Sequence, residues 1–220
     1  MTETKADAEK PRRRLSPAER ERQIVDGAIA FFAEAGLSGQ TRELAQRLGI
    51  TQPLIYRYFP TKQDLIDRVF EEVFVGRWKP EWSALVTDRS QPLRERLIAF
   101  YRDYVADVFS YEWIRIYMFA GLAGEDLNQR YIALLEEGLL APLCRELRAE
   151  SGAAIPGDTP VDNRELEAAW HIHAAVFYYV VRKHIYSTPV DDDVEEFIAD
   201  AVDRTLTGTL KQLRGRYTRD

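Results

Sequence analysis

Residues 41–62 read TRELAQRLGITQPLIYRYFPTK, and this run leaves the chain little choice of local structure. Leu44, Ala45 and Leu48 recur at helical spacing, Gly49 stands where a left-handed residue ends a helix, and Ile50 is the buried residue of the turn. Thr51 is a competent N-cap for a second helix, which runs on through Gln52, Pro53, Leu54, Ile55, Tyr56, Arg57 and Tyr58. Pro53 falls in its first turn, where a missing N–H costs little. So short a helix is a poor strut, yet it offers amide, guanidinium and phenol groups in two turns. Two helices joined by a glycine turn form a shape that a DNA major groove accepts.

The flanks agree with that reading. Ser16-Pro17-Ala18-Glu19 is a capping box with proline at the first helical position, and the apolar stripe Ile24, Ala28, Phe31, Phe32, Ala35 carries the first helix to Gly36. The next helix starts near Gln40 or Thr41; with Gln40 at the cap position, Ser38 is expected to serve instead. Thr61, followed three residues later by Asp64, opens a fourth helix whose stripe is Leu65, Ile66, Val69, Phe70 and Val73, and which ends before Pro80. Residues 1–15 are polar and charged without apolar period, so they are expected to be a disordered basic tail, with Arg12, Arg13 and Arg14 placed to reach phosphates or an adjacent minor groove.

The order of Phe31-Phe32, Gly36, Thr41, Leu44-Ala45, Leu48-Gly49-Ile50, Tyr56, Tyr58-Phe59 and Lys62 resembles the N-terminal domain of TetR-type transcriptional regulators, over roughly residues 24–70. The resemblance implies an all-α protein, with a three-helix DNA-binding domain in residues 16–60 joined to a larger helical ligand-binding and dimerisation domain in residues 61–220. It further implies a homodimer that occupies a palindromic double-stranded operator, most often as a repressor, until a small-molecule effector moves the fourth helix. Because the resemblance fades beyond about residue 81, it identifies no effector; an activator or an architectural DNA-binding factor is the alternative role.

Net charge of −6 speaks superficially against a nucleic-acid partner, but its distribution matters more than its sum. Residues 1–62 hold 11 Lys and Arg against 8 Asp and Glu, a net of +3, which leaves −9 for the remainder. The basic end coincides with the two short helices, and the acidic end repels phosphate. No run of apolar residues reaches membrane-spanning length and no signal core opens the chain, so a cytoplasmic protein without a membrane partner is expected. The single cysteine, Cys144, sits in a helical pattern with Leu140 and Leu147 and reads as a buried, reduced thiol. A phosphate-binding glycine loop, a nucleophile elbow, an HExxH site and the Glu-x-x-His pairs of di-iron bundles are all missing, so neither an enzyme nor a cofactor is expected.

For DNA, the base-edge candidates are Gln52, Pro53, Leu54, Tyr56 and Arg57. Amide and guanidinium groups make paired hydrogen bonds to purine edges, whereas proline and leucine touch a thymine methyl or exclude a wrong base. Thr41, Arg42, Tyr58 and Lys62 are the phosphate candidates. The remaining sequence places helices at about 92–110, 112–122, 125–150, 162–187 and 192–213. These helices are rich in aromatic residues. Trp113 and Tyr117 share one face at i and i+4, Trp170, His173 and Phe177 share another at i, i+3 and i+7, and with Tyr101 and Tyr104 they are the candidate lining of a pocket for a flat, largely apolar ligand. His171 and His173 point to different faces and His184 is about 16 Å from His173 along the helix, so no metal site is expected. The stripe Val194, Ile198, Ala201, Leu206, Leu210 and Leu213, with an apolar helix before it, reads as a dimer surface.

Overall fold

The computed structural model describes residues 15–124, 126–152 and 159–217; residues 1–14 of the expected tail, with Arg12, Arg13 and Arg14, and the middle of the loop before residue 160 lie outside them. Among the described residues every regular element is helical. The first, α1 (Pro17–Ala35), starts at the predicted capping box, in which the Glu19 N–H donates to Ser16 Oγ at 3.2 Å and the Ser16 N–H donates to Glu19 Oε2 at 2.7 Å. It buries Ile24, Val25, Ala28, Phe31, Phe32 and Ala33. The predicted stripe ended on Ala35, which is exposed; Ala33 is buried in its place because α1 also packs on a later helix. Full burial of Phe31 and Phe32 contributes about 1.5–3 kcal/mol each.

Helix α2 (Thr41–Arg47) packs on α1, and α3 (Gln52–Tyr58) packs on α2. No side chain caps α2 at Gln40, contrary to the expectation that Ser38 would serve, and Thr51 occupies the predicted cap of α3 without a side-chain bond. Buried Leu44, Ala45 and Ile55 hold these two short helices instead. Next, α4 (Lys62–Phe70) begins at a second capping box, Thr61 with Asp64, and passes into a π-helical turn, Glu71–Val75. That turn buries Val73 and Phe74 together.

The larger layer comprises α5 (Glu81–Thr87), α6 (Leu93–Asp107), α7 (Tyr111–Ala123), α8 (Leu127–Leu135), α9 (Ala141–Ser151), α10 (Asn163–His184) and α11 (Val194–Tyr217), with a π-helical turn, Glu136–Leu140, fusing α8 to α9. Five of the predicted helices are thus present, and α5 is additional; its Trp82 and Val86 are buried against α6 and α9. Two buried carboxylates, each paired with arginine, set how these helices register. Glu146 on α9 meets Arg96 of α6 at 2.8 Å and Arg89 at 3.0 Å, and Glu165 of α10 meets Arg148 of α9 at 2.6 Å. Burial pushes the Glu146 carboxyl up, but the bonds from Arg89 and Arg96 outweigh it and hold it below the usual range. Removing one partner of such a pair leaves an uncompensated charge, which costs about 3–5 kcal/mol.

Of the six residues of the α11 stripe, Val194, Ala201, Leu206 and Leu210 are half-buried. Ile198 and Leu213, with Val202, are buried where α11 packs on α6, α9 and α10. The apolar α10 likewise leaves Ala174 and Tyr178 exposed. The outward surface is a groove of about 440 Å³ between α10 and α11, lined by Ala168, His171, Thr205 and Gly208 with charged Arg164, Glu167 and Arg204.

Candidate nucleic-acid interface and cavity

The turn between α2 and α3 is built as its residues require. Gly49 adopts φ 62°, a left-handed conformation that costs an ordinary L-residue about 1–2 kcal/mol. The Gly49 N–H donates to the Gln46 carbonyl at 3.2 Å and the Ile50 N–H reaches back to the Ala45 carbonyl at 3.0 Å, closing the end of α2. Leu48 then seats against α1 at Gly27, where a Cβ would come within 2.4 Å of Leu48 Cδ2. Ile55 pins the inner side of α3, so Pro53, Tyr56 and Arg57 are exposed and Gln52, Leu54 and Tyr58 are half-buried. Arg42 is exposed as well, and Lys62 is half-buried in the first turn of α4.

Thr41 departs from its expected place as a phosphate contact. It is buried, and its hydroxyl lies 2.9 Å from Gln52 Nε2, from which it accepts, and 2.9 Å from Tyr56 Oη. One hydroxyl at the start of α2 therefore ties down two side chains of α3. Arg47 braces α2 on α1 in a similar way: it bonds Glu34 at 2.5 Å and Glu43 at 3.0 Å, with its guanidinium 4.9 Å from the Phe31 ring centre.

The head is locked to the larger layer at two places. Arg115 of α7 donates to the Ala33 carbonyl at the end of α1, and its guanidinium lies 5.3 Å from the rings of Tyr111 and Phe119. On the other side, Arg130 of α8 bonds Asp67 of α4 at 2.9 Å and sits 4.0 Å over the Phe70 ring. Phe70 stacks on Phe74, and Phe74 reaches the aromatic cluster, 5.2 Å from Trp113, 5.5 Å from Tyr131 and 6.4 Å from Tyr117, measured between ring centres.

Behind Phe74 lies a cavity of about 180 Å³ between α7, α8 and α10. Of the seven candidate pocket residues it is lined by five, Trp113, Tyr117, Trp170, His173 and Phe177, together with Tyr131, Ile132, Leu135 and Ala174, which spacing alone did not single out. Tyr101 and Tyr104 are not on its wall: both are fully buried one layer behind, with ring centres 6.2 and 5.6 Å from His173. Tyr104 Oη shares a hydrogen bond with Tyr131 Oη, and burial raises both phenols far above their ordinary range. Trp113 Nε1, His173 Nδ1 and Tyr101 Oη, by contrast, are buried without a hydrogen-bond partner.

Among the described residues the wall carries no carboxylate, ammonium or guanidinium group. Burial lowers the His173 pKa to about 3, so its ring is neutral at any physiological pH. A cation entering here would recover about 2 kcal/mol from the aromatic faces. That is less than the several kcal/mol its desolvation costs. His171, on the outer side of α10, is exposed and hydrogen-bonded to the Glu167 carbonyl at 2.6 Å. The Cys144 thiol is buried, donates to the Glu165 carbonyl at 3.2 Å, and is pushed up to about 12 by burial, as suits an inert structural cysteine. No helix among the described residues is long and apolar enough to cross a membrane.

Residues 24–69 match the family described as "Bacterial regulatory proteins, tetR family". A 67-residue segment is 36% identical to the HTH-type transcriptional regulator LuxR of Vibrio harveyi, covering 30% of this chain and 33% of that one. An 88-residue segment is 32% identical to the class A tetracycline repressor protein from transposon 1721 of Escherichia coli, covering 36% and 40% of the two chains. The matched segments thus span well under half of either curated relative. In fold the likeness extends over nearly the whole chain. A putative transcriptional regulator from Pseudomonas aeruginosa PAO1 aligns with a TM-score of 0.66 at 18% identity, over 93% of this chain and 96% of that one. A TetR-like transcriptional regulator from Rhodococcus sp. RHA1 aligns with a TM-score of 0.63 at 21% identity, over 89% and 100%.

Proposed function

We propose that this chain is a TetR-type regulator, a homodimeric repressor which holds a palindromic operator until a small molecule enters the cavity behind Phe74. The observation that carries this reading is the position of α4. One end of that helix follows α3 after three residues, and its π-helical turn puts Phe74 against Trp113, Tyr117 and Tyr131 of the cavity wall. A molecule that re-seats those rings displaces Phe74, and with it the spacing of two reading heads.

Arg57 and Gln52 face outward or half-outward on α3 and are the base-reading groups of this proposal, with Pro53, Leu54 and Tyr56 shaping the fit. Arg42, Tyr58 and Lys62 serve the phosphates. Thr41 acts through the two side chains it holds. Two copies must present their α3 helices about 34–36 Å apart to enter successive major grooves. The small residues Ala168, Thr205 and Gly208 in the groove between α10 and α11 favour that surface for the partner copy, because they let helices approach closely.

The test is a selection of binding sequences from random duplexes by the full chain, followed by size exclusion with the selected duplex. An inverted repeat bound by two chains is expected. A single chain on one half-site, or a selection that enriches no sequence, would contradict the proposal.

A further inference from the structure

Resting on the reading of the cavity as the effector site, we infer that its ligand is an uncharged, planar molecule of one or two fused aromatic rings bearing a hydrogen-bond acceptor on its edge.

Four observations converge on that class. The cavity measures about 180 Å³. A cavity of roughly 150 Å³ holds benzene, so this one takes one or two rings without rearrangement. Its flattest wall is the stacked pair Trp113 and Tyr117, with ring centres 4.9 Å apart and planes 10° from parallel, which presents a face that a planar ligand extends. The absence of any charged side chain from the wall, and the neutrality of His173, leave an ion without a counter-charge. The aromatic faces alone do not offset the desolvation of a cation, and they repel an anion.

The fourth observation is the hydrogen-bonding balance. Trp113 Nε1 is a donor only, and it is buried without a partner in a residue 1% exposed. His173 Nδ1 is in the same state in a residue 4% exposed, and Tyr101 Oη is unpartnered behind it. The neighbouring phenols of Tyr104 and Tyr131 satisfy each other and make no such demand. Two unpartnered polar groups on wall residues of one apolar cavity, with a third a layer behind, are costly in the free protein. A carbonyl, lactone or ring-nitrogen acceptor on the ligand edge recovers part of that cost, whereas a pure hydrocarbon recovers none.

Equilibrium dialysis of the full chain against four two-ring probes tests the class: coumarin (neutral, with an acceptor), naphthalene (neutral, without one), N-methylquinolinium (a cation) and 2-naphthoate (an anion). Coumarin is expected to bind about fivefold tighter than naphthalene, the increment of one net hydrogen bond, and at least about tenfold tighter than either ion. In Trp113→Phe, which keeps a flat ring and removes the donor, coumarin should fall to the naphthalene level while naphthalene is little changed. Tighter binding of either ion than of coumarin overturns the inference, as does failure of all four probes to bind below about 1 mM. So does a coumarin-to-naphthalene ratio that Trp113→Phe leaves intact. The same probes are added to the chain on its selected duplex. If the ranking holds while DNA stays bound, the ligand class stands and the release mechanism falls; if DNA binding is sequence-specific and the ranking fails, the reverse is true.

Discussion

Thr41→Val isolates what the buried hydroxyl at the start of α2 does for the reading helix. Valine has nearly the same shape, so the change removes two hydrogen bonds of 2.9 Å, one to Gln52 and one to Tyr56, without opening a cavity. Tyr56 is 38% exposed and Gln52 half-buried, so both side chains can turn to water; each bond then contributes the lower part of the usual 0.5–1.5 kcal/mol. Together they amount to about 1–2 kcal/mol of preorganisation, or roughly a 5- to 30-fold loss of operator affinity. Fluorescence anisotropy on the selected duplex and on its single-base variants reads both the size and the pattern of the loss. A loss common to all sequences is expected, with a smaller added change at the base that Gln52 faces once its amide is released. Thr41→Ser keeps the hydroxyl and should stay within about threefold of wild type. If Thr41→Val and Thr41→Ser bind alike, the hydroxyl does not organise α3 and the reasoning fails.

Three further outcomes follow from the same geometry. Arg57→Ala should relax sequence preference at one base pair per half-site by roughly 1–3 kcal/mol, whereas Lys62→Ala should weaken all sequences alike and flatten the salt dependence; equilibrium binding across operator variants and salt concentrations separates the two. Phe74→Leu should cost roughly 1 kcal/mol in urea unfolding and leave coumarin affinity within a few-fold, yet blunt the effect of coumarin on DNA affinity; unchanged coupling would remove Phe74 from the relay. His173 has a folded pKa lowered to about 3 by burial, against about 6.5 when unfolded, so its contribution is complete above pH 6.5 and is lost as pH falls from there toward 3. Its share of the loss between pH 7 and 5 is about 2 kcal/mol, and His173→Phe should lack that part of the slope in urea melts at the two pH values.

What could be read from the sequence is what local chemistry decides. Ser16 with Glu19 and Thr61 with Asp64 close capping boxes through contacts three residues apart, and Gly49 ends α2 through its own backbone freedom. Asp162 caps α10 in the same local way, with Glu165 as its partner. The errors arise where distant segments meet. Thr41 looks like an exposed phosphate contact until α3 crosses α2 and brings Gln52 and Tyr56 to its hydroxyl. Periodicity showed the α11 stripe as one apolar face, but not that its Ile198 and Leu213 pack on the chain's own helices while Val194, Ala201, Leu206 and Leu210 stay half-buried. For the cavity, α7 and α10 were legible because Trp113, Tyr117, Trp170, His173 and Phe177 share helix faces, but the α8 wall of Tyr131, Ile132 and Leu135 was not. Its residues are ordinary core types whose placement depends on how α8 lies against α7. The seven-residue α5 was missed because its few buried positions, Trp82 and Val86, are too few to show a period.

The π-helical turn at residues 71–75 connects the site that sequence made legible to the one it left indistinct. The Gly76 N–H bonds the Glu71 carbonyl at 2.7 Å, closing a wide turn after Phe70, and Phe70, Val73 and Phe74 stay on one buried face with Phe70 stacked on Phe74. A wide turn is an element with an alternative, since regaining the ordinary α-helical bond requires only a local change of register. Shifting the head from 99:1 to 1:99 between DNA-competent and released states needs about 5.5 kcal/mol of differential ligand affinity. One neutral hydrogen bond supplies about a fifth of that. The rest must come from ring contacts made in only one state, because a ligand that bound both equally would shift nothing. Phe74 touches three rings of the cavity wall, while Arg130 holds the same helix through Asp67 and Phe70. On the proposed mechanism, the released state is one in which the ligand replaces Phe74 as the partner of Trp113 and Tyr131 while Arg130 still holds α4 to α8 through Asp67 and Phe70.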